Sequence, residues 1–160
     1  MGRCLQQAGW PHMKSRTKKK VLIIDDNPVI GFFLEGYFKT NNYSVSFAQT
    51  AQRGMDMAQN LVPDLILVQG KLPESTGIAV VQHLRRKSAT QDIPVVFYTG
   101  SHRERMRYRL NPPPGTWYLH SPWDAARLHE IIREDIFEDA GNESCGIRDN
   151  ERNRLKRRAL

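Results

Sequence analysis

Apolar runs recur along the middle of the chain, and a more polar segment separates each from the next. Short apolar or β-branched runs at residues 21–24, 64–68, 93–99 and 116–119, with an alternating stretch at residues 43–48, predict five β-strands. The run at residues 64–68 is almost unbroken, as expected for a strand of a parallel sheet that is covered on both faces.

Segments with apolar residues at three- and four-residue spacing follow these runs. They predict helices over residues 28–39, 51–61, 78–86, 103–110 and 123–137. The first helix has Asn27 as a capping residue before Pro28. Its predicted buried stripe consists of Ile30, Phe33, Leu34, Tyr37 and Phe38. Five strand–helix repeats predict an α/β fold, a (βα)5 three-layer sandwich around a five-stranded parallel sheet.

Length and charge indicate one domain with two tails. A chain of 160 residues is long enough for a single core. We expect a domain at residues 19–137, a flexible arm at residues 1–18 and a charged, disordered tail at residues 138–160. The net charge of +7 lies mainly in the arm, because residues 1–20 contain six basic and no acidic residues, whereas residues 21–137 contain 12 of each.

Cysteine, histidine and hydropathy patterns argue against several kinds of site. Cys4 and Cys145 lie outside the predicted domain and have no metal-ligand spacing around them. The five histidines form no metal-binding motif.

No apolar run approaches the length of a membrane span, and the N-terminus lacks a hydrophobic signal core. We therefore expect a cytoplasmic protein.

Polar side chains stand where the predicted strands end. Asp25 and Asp26 follow the first strand, Gln69 ends the third, Thr99 ends the fourth, and Ser121 follows the fifth. In an open α/β sheet the carboxyl ends of the strands border the crevice in which ligands and reacting groups lie. These residues are therefore the candidate functional positions of the chain.

The motifs over residues 19–137 resemble the receiver domain of bacterial response regulators. The resemblance is carried by Asp25 and Asp26, by residues 63–68 followed by residues 71–73, by Thr99 and Tyr118, and by the Ser121–Pro122 pair. It implies a flavodoxin-like fold with strand order 2-1-3-4-5.

In that family an aspartate that ends the third strand accepts a phosphoryl group from a histidine kinase. The acidic pair and this aspartate hold Mg²⁺, and a lysine neutralises the acyl phosphate. Here Gln69 stands at the acceptor position and Ser121 at the lysine position. The resemblance therefore implies no conventional aspartyl phosphorylation and no cofactor, with Mg²⁺ not expected and Asp25 and Asp26 only weak candidate ligands.

Lys71 lies two residues after Gln69, so its ammonium group could reach Asp25 or Asp26. We hypothesise that such an internal ion pair replaces the metal. The alternative is that the acidic pair is a solvated corner that caps the following helix.

A second group of residues surrounds the predicted fifth strand. It comprises a basic helix and neighbouring aromatic residues: Arg103, Arg105, Arg107, Arg109, Trp117, Tyr118 and Trp123. Aromatic and arginine side chains are favoured at binding hot spots, so this group predicts a docking face for a signalling protein, formed by the fourth helix, fifth strand and fifth helix. A homodimer through the same face is an alternative, and a packed edge strand beside a solvated helix is the simplest interpretation.

These observations favour a stand-alone atypical receiver that signals by protein–protein interaction and is not an enzyme. One alternative is a receiver-like switch driven by a small ligand or a non-aspartyl modification in the degenerate pocket. The other is a nucleic-acid-associated adaptor that uses its basic tails, although no DNA-binding motif follows the receiver and nucleic acid is an unlikely partner.

Overall fold

The computed structural model describes residues 18–122 and 125–137. Five strands form one parallel sheet: β1 (Lys20–Ile24), β2 (Ser44–Ala48), β3 (Leu65–Gln69), β4 (Val95–Thr99) and β5 (Thr116–His120). The helices between and after them are α1 (Pro28–Thr40), α2 (Ala51–Leu61), α3 (Gly77–Arg85), α4 (His102–Leu110) and α5 (Ala125–Glu130), which continues as a π-helical segment (Ile131–Phe137). The strand order is β2-β1-β3-β4-β5, which confirms the predicted flavodoxin-like α/β sandwich.

Four helices begin with a capping side chain, which lies in the segment between the carboxyl end of a strand and the helix that follows it. Asn27 accepts a hydrogen bond from the Val29 amide at 2.9 Å, and Thr50, Thr76 and Ser101 cap α2, α3 and α4 in the same way. Such residues satisfy backbone N–H groups that the first helical turn leaves free. The caps therefore fix where each helix starts relative to the strand ends.

The side chains of the strands separate into two cores, one on each face of the sheet. Even-numbered positions of β1 and β3, such as Leu22 and Ile66, pack with α2 and α3. Odd-numbered positions, such as Ile23 and Leu67, pack with α1 and α5. This alternation places Asp25 and Gln69 on the side of α1 and α5, because side chains of a strand alternate between faces.

The predicted buried stripe of α1 is wrong at Phe33, whose side chain is 56% exposed. Leu34 and Phe38 are buried as expected, but the buried side of the helix also includes Gly31, against which the ring of Phe47 packs. Phe33 instead shares the outer side with Phe32, which is 79% exposed. The helix is apolar around most of its circumference, so spacing alone did not identify its buried side.

Parts of the predicted layout fall outside the described residues. These are the arm up to residue 17, the tail from residue 138, and Trp123, where the last helix was expected to begin. The predicted domain limits at residues 19 and 137 therefore stay predictions.

In the part of the chain that the structure describes, none of the helices has the length and apolar character needed to cross a membrane.

Candidate functional site at the strand ends

The carboxyl ends of β1, β3 and β4 bring four polar side chains together. Gln69 is paired in register with Tyr98 of β4, and Asp25 directly follows Ile24 at the end of β1. Asp25 is fully buried, whereas the neighbouring Asp26 is exposed. We refer to Asp25, Asp26, Gln69 and Tyr98 as the strand-end cluster.

The amide of Gln69 lies between the two carboxylates. Carboxylate oxygens only accept hydrogen bonds, so the amide nitrogen is the atom that faces them. In this orientation Gln69 Nε2 donates to Asp26 Oδ1 at 2.6 Å and to Asp25 Oδ1 at 3.0 Å. It also lies 3.1 Å from the carbonyl oxygen of Lys71. One neutral side chain thus connects the ends of β1 and β3.

Asp25 receives hydrogen bonds on both of its carboxylate oxygens. The Tyr98 hydroxyl donates to Oδ2, and the Asn27 amide donates to Oδ1 at 2.8 Å. Burial raises the pKa of Asp25 above its ordinary value; the two hydrogen bonds oppose this rise, and the charge of Asp26 adds to it. Burial and the nearby Asp25 also raise the pKa of Tyr98 well above its usual value, so Tyr98 stays a proton donor.

Two glycines allow the chain to pass close to this cluster. A methyl group on Gly77 would collide with the carbonyl oxygen of Gln69, and one on Gly70 would collide with the side chain of Thr99. The Gly77 amide donates to the Gly70 carbonyl at 2.9 Å, which closes the loop between β3 and α3. Side chains at either position would therefore displace the end of β3.

Lys71 does not lie where the ion-pair hypothesis requires it. Its side chain is exposed, and its backbone forms an isolated bridge with Thr76. Within residues 18–122, no ion pair joins Lys71 to Asp25 or Asp26. The Gln69 amide, and not the Lys71 ammonium group, is the donor that both carboxylates share.

Thr99 ends β4 and Ser121 directly follows β5. These two strands lie on the opposite side of β3 from β1. Thr99 is buried, and its hydroxyl oxygen accepts a hydrogen bond from the Ser101 amide at 3.0 Å. The Ser121 amide donates to the Thr99 carbonyl at 3.1 Å, and the Ser121–Pro122 peptide is cis. A serine hydroxyl cannot supply the positive charge that a lysine would bring to this position.

The aromatic residues around β5 form a stack that connects the sheet to α4. Tyr108 of α4 stacks on Phe97 with ring centroids 5.4 Å apart and on Tyr118 with centroids 5.3 Å apart. The Tyr108 hydroxyl donates to the Thr116 carbonyl at 2.7 Å, and the Tyr118 hydroxyl donates to the Thr99 carbonyl at 3.4 Å. We call Phe97, Tyr108 and Tyr118 the aromatic stack.

The arginines of α4 do not share one face. Arg105 and Arg109 lie near Tyr118, where their charges oppose the rise in its pKa that burial causes. Arg107 points elsewhere, since it pairs with Glu104 at 3.2 Å and lines a groove with residues of α3. Arg103 lies one helical turn before Arg107 and is exposed.

The predicted aromatic face is also divided. Trp117 packs with the core beside α1 and α5, whereas Tyr118 packs with the core beside α2 and α3. Trp123 lies outside the described residues.

Sequence reasoning missed Tyr98. A tyrosine in an otherwise apolar, fully covered strand needs a partner for its hydroxyl, and this requirement was the available signal. The partner of the Tyr98 hydroxyl is the carboxylate of Asp25, at the same edge of the sheet.

The model of the response regulator receiver domain family matches residues 21–133. The chain belongs to that family. Receiver domains are components of two-component signal transduction, where they interact with signalling partners and are in general not enzymes. The predicted family is thereby confirmed.

Two curated relatives and two solved structures illustrate the similarity. The chain is 32% identical over 118 residues to the DNA-binding dual master transcriptional regulator RpaA of Synechocystis, covering 71% of this chain and 49% of RpaA. It is 28% identical over 119 residues to the phosphate regulon transcriptional regulatory protein PhoB of Escherichia coli, covering 72% of this chain and 52% of PhoB. The chain thus spans about half the length of these relatives.

Among solved structures, a CheY-like receiver domain protein from Methanospirillum hungatei superposes with a TM-score of 0.68 at 25% identity, covering 78% of this chain and 98% of that one. Chemotaxis protein CheY4 of Vibrio cholerae gives a TM-score of 0.67 at 21% identity, covering 76% of this chain and all of that one, and supports the fold alone.

Proposed function

We propose that this receiver domain signals through protein–protein contacts and is not phosphorylated on an aspartate at the end of β3. The observation that carries the proposal is Gln69, whose neutral amide occupies the end of β3 and donates to both members of the acidic pair. An amide nitrogen that is engaged as a donor is not a nucleophile for phosphoryl transfer. Ser121, at the position assigned to the lysine, supports the same conclusion because it brings no positive charge.

The aromatic stack supports a signalling role that does not need this chemistry. Tyr118 is already held against Phe97 and Tyr108, so α4 and β5 form one packed unit without any modification. We propose that the partner-binding face lies on this unit. Its outer side carries a stripe at helical spacing that is both basic and apolar, which we call the α4 surface: Arg103, Met106, Arg107 and Leu110.

The composition of the α4 surface suits a partner with an acidic and partly apolar patch. Leu110 is 81% exposed and Met106 is 40% exposed, and both lie between or beside arginines. Arginine contributes strongly to interfaces, and an exposed leucine gains free energy when a partner covers it.

Phosphorylation is tested by incubating the protein with acetyl phosphate and Mg²⁺ and measuring its intact mass. The wild-type chain is expected to gain no phosphoryl group on an aspartate. The double variant Gln69→Asp/Ser121→Lys restores both missing groups and serves as the positive control. A gain of one phosphoryl group in the mass of the wild-type chain would refute a signalling role that is independent of phosphorylation.

The partner face is tested by charge reversal. Proteins retained by the wild-type chain are compared with those retained by Arg103→Glu/Arg107→Glu and by the matched control Arg53→Glu/Lys87→Glu, which changes the charge equally on other exposed positions. A partner that uses the α4 surface is lost only with the first variant. A partner that binds all three proteins equally would place the face elsewhere.

A further inference from the structure

Three acceptors at the strand ends converge on one point, as they would around a bound cation. They are Asp25 Oδ1, Asp26 Oδ1 and the Lys71 carbonyl oxygen, and the atom at their centre is Gln69 Nε2, at distances of 3.0, 2.6 and 3.1 Å. Mg²⁺ requires oxygen ligands in near-octahedral geometry. In this orientation the Gln69 amide presents two protons and no free lone pair to that point, so the arrangement does not fit a divalent cation. The amide oxygen could ligate a cation only if the side chain turned over and gave up these hydrogen bonds.

We propose that the Gln69 amide substitutes for the cation and excludes divalent ions from this edge of the sheet. Its two polarised protons neutralise part of the repulsion between the carboxylates and tie the end of β3 to the end of β1. The inference rests on the proposed function only in assigning Gln69 to the acceptor position. It goes beyond that function because it concerns what the acidic pair binds, and not whether the chain is phosphorylated.

The surroundings of Asp25 strengthen this assignment. Its Oδ2 accepts the Tyr98 hydroxyl, and its Oδ1 accepts the Asn27 amide as well as the Gln69 amide. The carboxylate is fully buried, so a cation would have to displace protein donors that water could not replace. Asp26 is the exposed member, and alone it would give only a weak, non-selective contact.

Across residues 18–122 and 125–137, no group of three or more histidine, cysteine, aspartate or glutamate side chains is placed to hold a metal ion. Replacing Gln69 by glutamate would create such a group with almost no change of shape. Gln69→Glu is therefore the isosteric variant that removes both donated protons and adds a third carboxylate beside Asp25 and Asp26.

The experiment is a Mn²⁺ titration monitored by paramagnetic broadening of the backbone amide resonances of Asp26, Gly70 and Lys71. The proteins are the wild-type chain, Gln69→Glu and Gln91→Glu, the last of which adds the same charge at an exposed position next to Asp92, before β4. We expect the wild type and Gln91→Glu to show the same weak broadening. Gln69→Glu should show it at Mn²⁺ concentrations at least about tenfold lower.

Thermal unfolding gives a second readout that does not depend on resonance assignment. Mg²⁺ should raise the Tm of Gln69→Glu and leave that of the wild type unchanged, since a ligand stabilises only the protein that binds it. If Gln69→Glu unfolds without Mn²⁺ and refolds with it, the proposal is supported. If it stays unfolded in Mn²⁺, and the shorter Gln69→Asp does too, the proposal is refuted, because the ion cannot take the place of the amide.

Tyr98→Phe separates the contributions of Tyr98 and Gln69, the two side chains that donate to Asp25. With Gln69 in place this variant should not gain Mn²⁺ affinity, and a gain would mean that Tyr98 is the barrier. Equally tight Mn²⁺ binding by the wild type and Gln69→Glu would overturn the proposal. That outcome would leave the proposed function intact as long as the wild-type mass stays unchanged with acetyl phosphate.

Discussion

Phe97 and Tyr98 are consecutive residues of β4, yet they belong to two regions of opposite character. Tyr98 points to the side of α1 and joins the strand-end cluster, which is held together by hydrogen bonds to two carboxylates. Phe97 points to the side of α3 and joins the aromatic stack, which is held together by ring packing. The first region carries Gln69, an amide at the position that the proposed function assigns to the phosphoacceptor, whereas the second carries Tyr118 within a set of packed rings.

This difference indicates that the two regions need not change together. The strand-end cluster depends on how protons are shared among a few atoms, so one substitution alters its chemistry completely. The aromatic stack depends on the shape and area of apolar contact, which neighbouring residues can maintain. Under the proposed function, the domain lacks the phosphorylation reaction at one face of its sheet and keeps a packed surface at the other.

The largest effect is expected for Gly77→Ala, which acts on the strand-end cluster through the backbone. Its methyl group would collide with the Gln69 carbonyl oxygen and force the end of β3 to move. We expect a loss of about 3 kcal/mol in the free energy of unfolding, measured with urea. Gly36→Ala is the matched control, because nothing lies near an added methyl group there and helix propensity should stabilise α1 by about 1 kcal/mol. Equal effects of the two substitutions would contradict the crowding described at Gly77.

Tyr98→Phe is expected to cost about 2 kcal/mol near neutral pH, because it removes a hydrogen bond to a buried charged group. Burial already raises the pKa of Asp25, and loss of an opposing hydrogen bond raises it further. A carboxyl with a raised folded-state pKa stabilises the fold most below its unfolded pKa, near 3.8, and this contribution is lost as the pH rises through the folded value.

The free energy of unfolding should therefore fall more steeply with rising pH in Tyr98→Phe than in the wild type, starting from about pH 4. Urea titrations at several pH values measure this slope. Asp25→Asn should remove the dependence, and a slope that persists in Asp25→Asn would assign it to another group.

Tyr108→Leu acts on the aromatic stack and is expected to cost about 1 kcal/mol beyond the lost contact area. It removes two ring contacts and the hydrogen bond to the Thr116 carbonyl. NMR should show large shifts at Tyr118 and small ones at Asp26 and Gly70. Comparable shifts in both regions would show that the strand-end cluster and the aromatic stack are coupled and not independent.

Phe32→Ser should change the free energy of unfolding by no more than about 0.5 kcal/mol, as for other exposed positions. Phe32 lies outside both regions, and this is the smallest effect expected. Leu34→Ser, at a buried position of the same helix, is the contrasting control. A cost at Phe32 as large as that at Leu34 would mean that this face of α1 is covered.

Much of the fold could be predicted because its signals are local. The strands are nearly unbroken apolar runs, and Asn27 with Pro28 marks the start of α1 where the structure has it. The outer side of α1 could not be predicted, because Phe32 and Phe33 are as apolar as the residues that are buried. The buried side of this helix is the one on which Phe47 packs against Gly31 and on which Leu34 and Phe38 enter the core.

The candidate site was predictable as a location but not as a set of contacts. The sequence identified Asp25, Asp26 and Gln69, since each follows or ends a strand. It did not reveal that the Gln69 amide reaches both carboxylates, because that depends on side-chain orientation across two strands. The hypothesis of a Lys71 ion pair failed for the same reason. The two-residue spacing of the α4 arginines was an available sign that they lie on alternate sides of a helix, and the prediction of a single docking face did not use it.

The closed hydrogen-bond arrangement around Gln69 has a consequence for timing. An acyl phosphate decays, so a receiver that depends on one carries a signal whose duration is set by the rate of hydrolysis. Under the proposed function the signal of this domain has no duration set by hydrolysis. The hydrogen bonds from Gln69 to Asp25 and Asp26 form when the chain folds and last as long as it stays folded. The strength of its signal would then follow the number of copies in the cell, and synthesis and degradation would become the steps at which that signal is started and stopped.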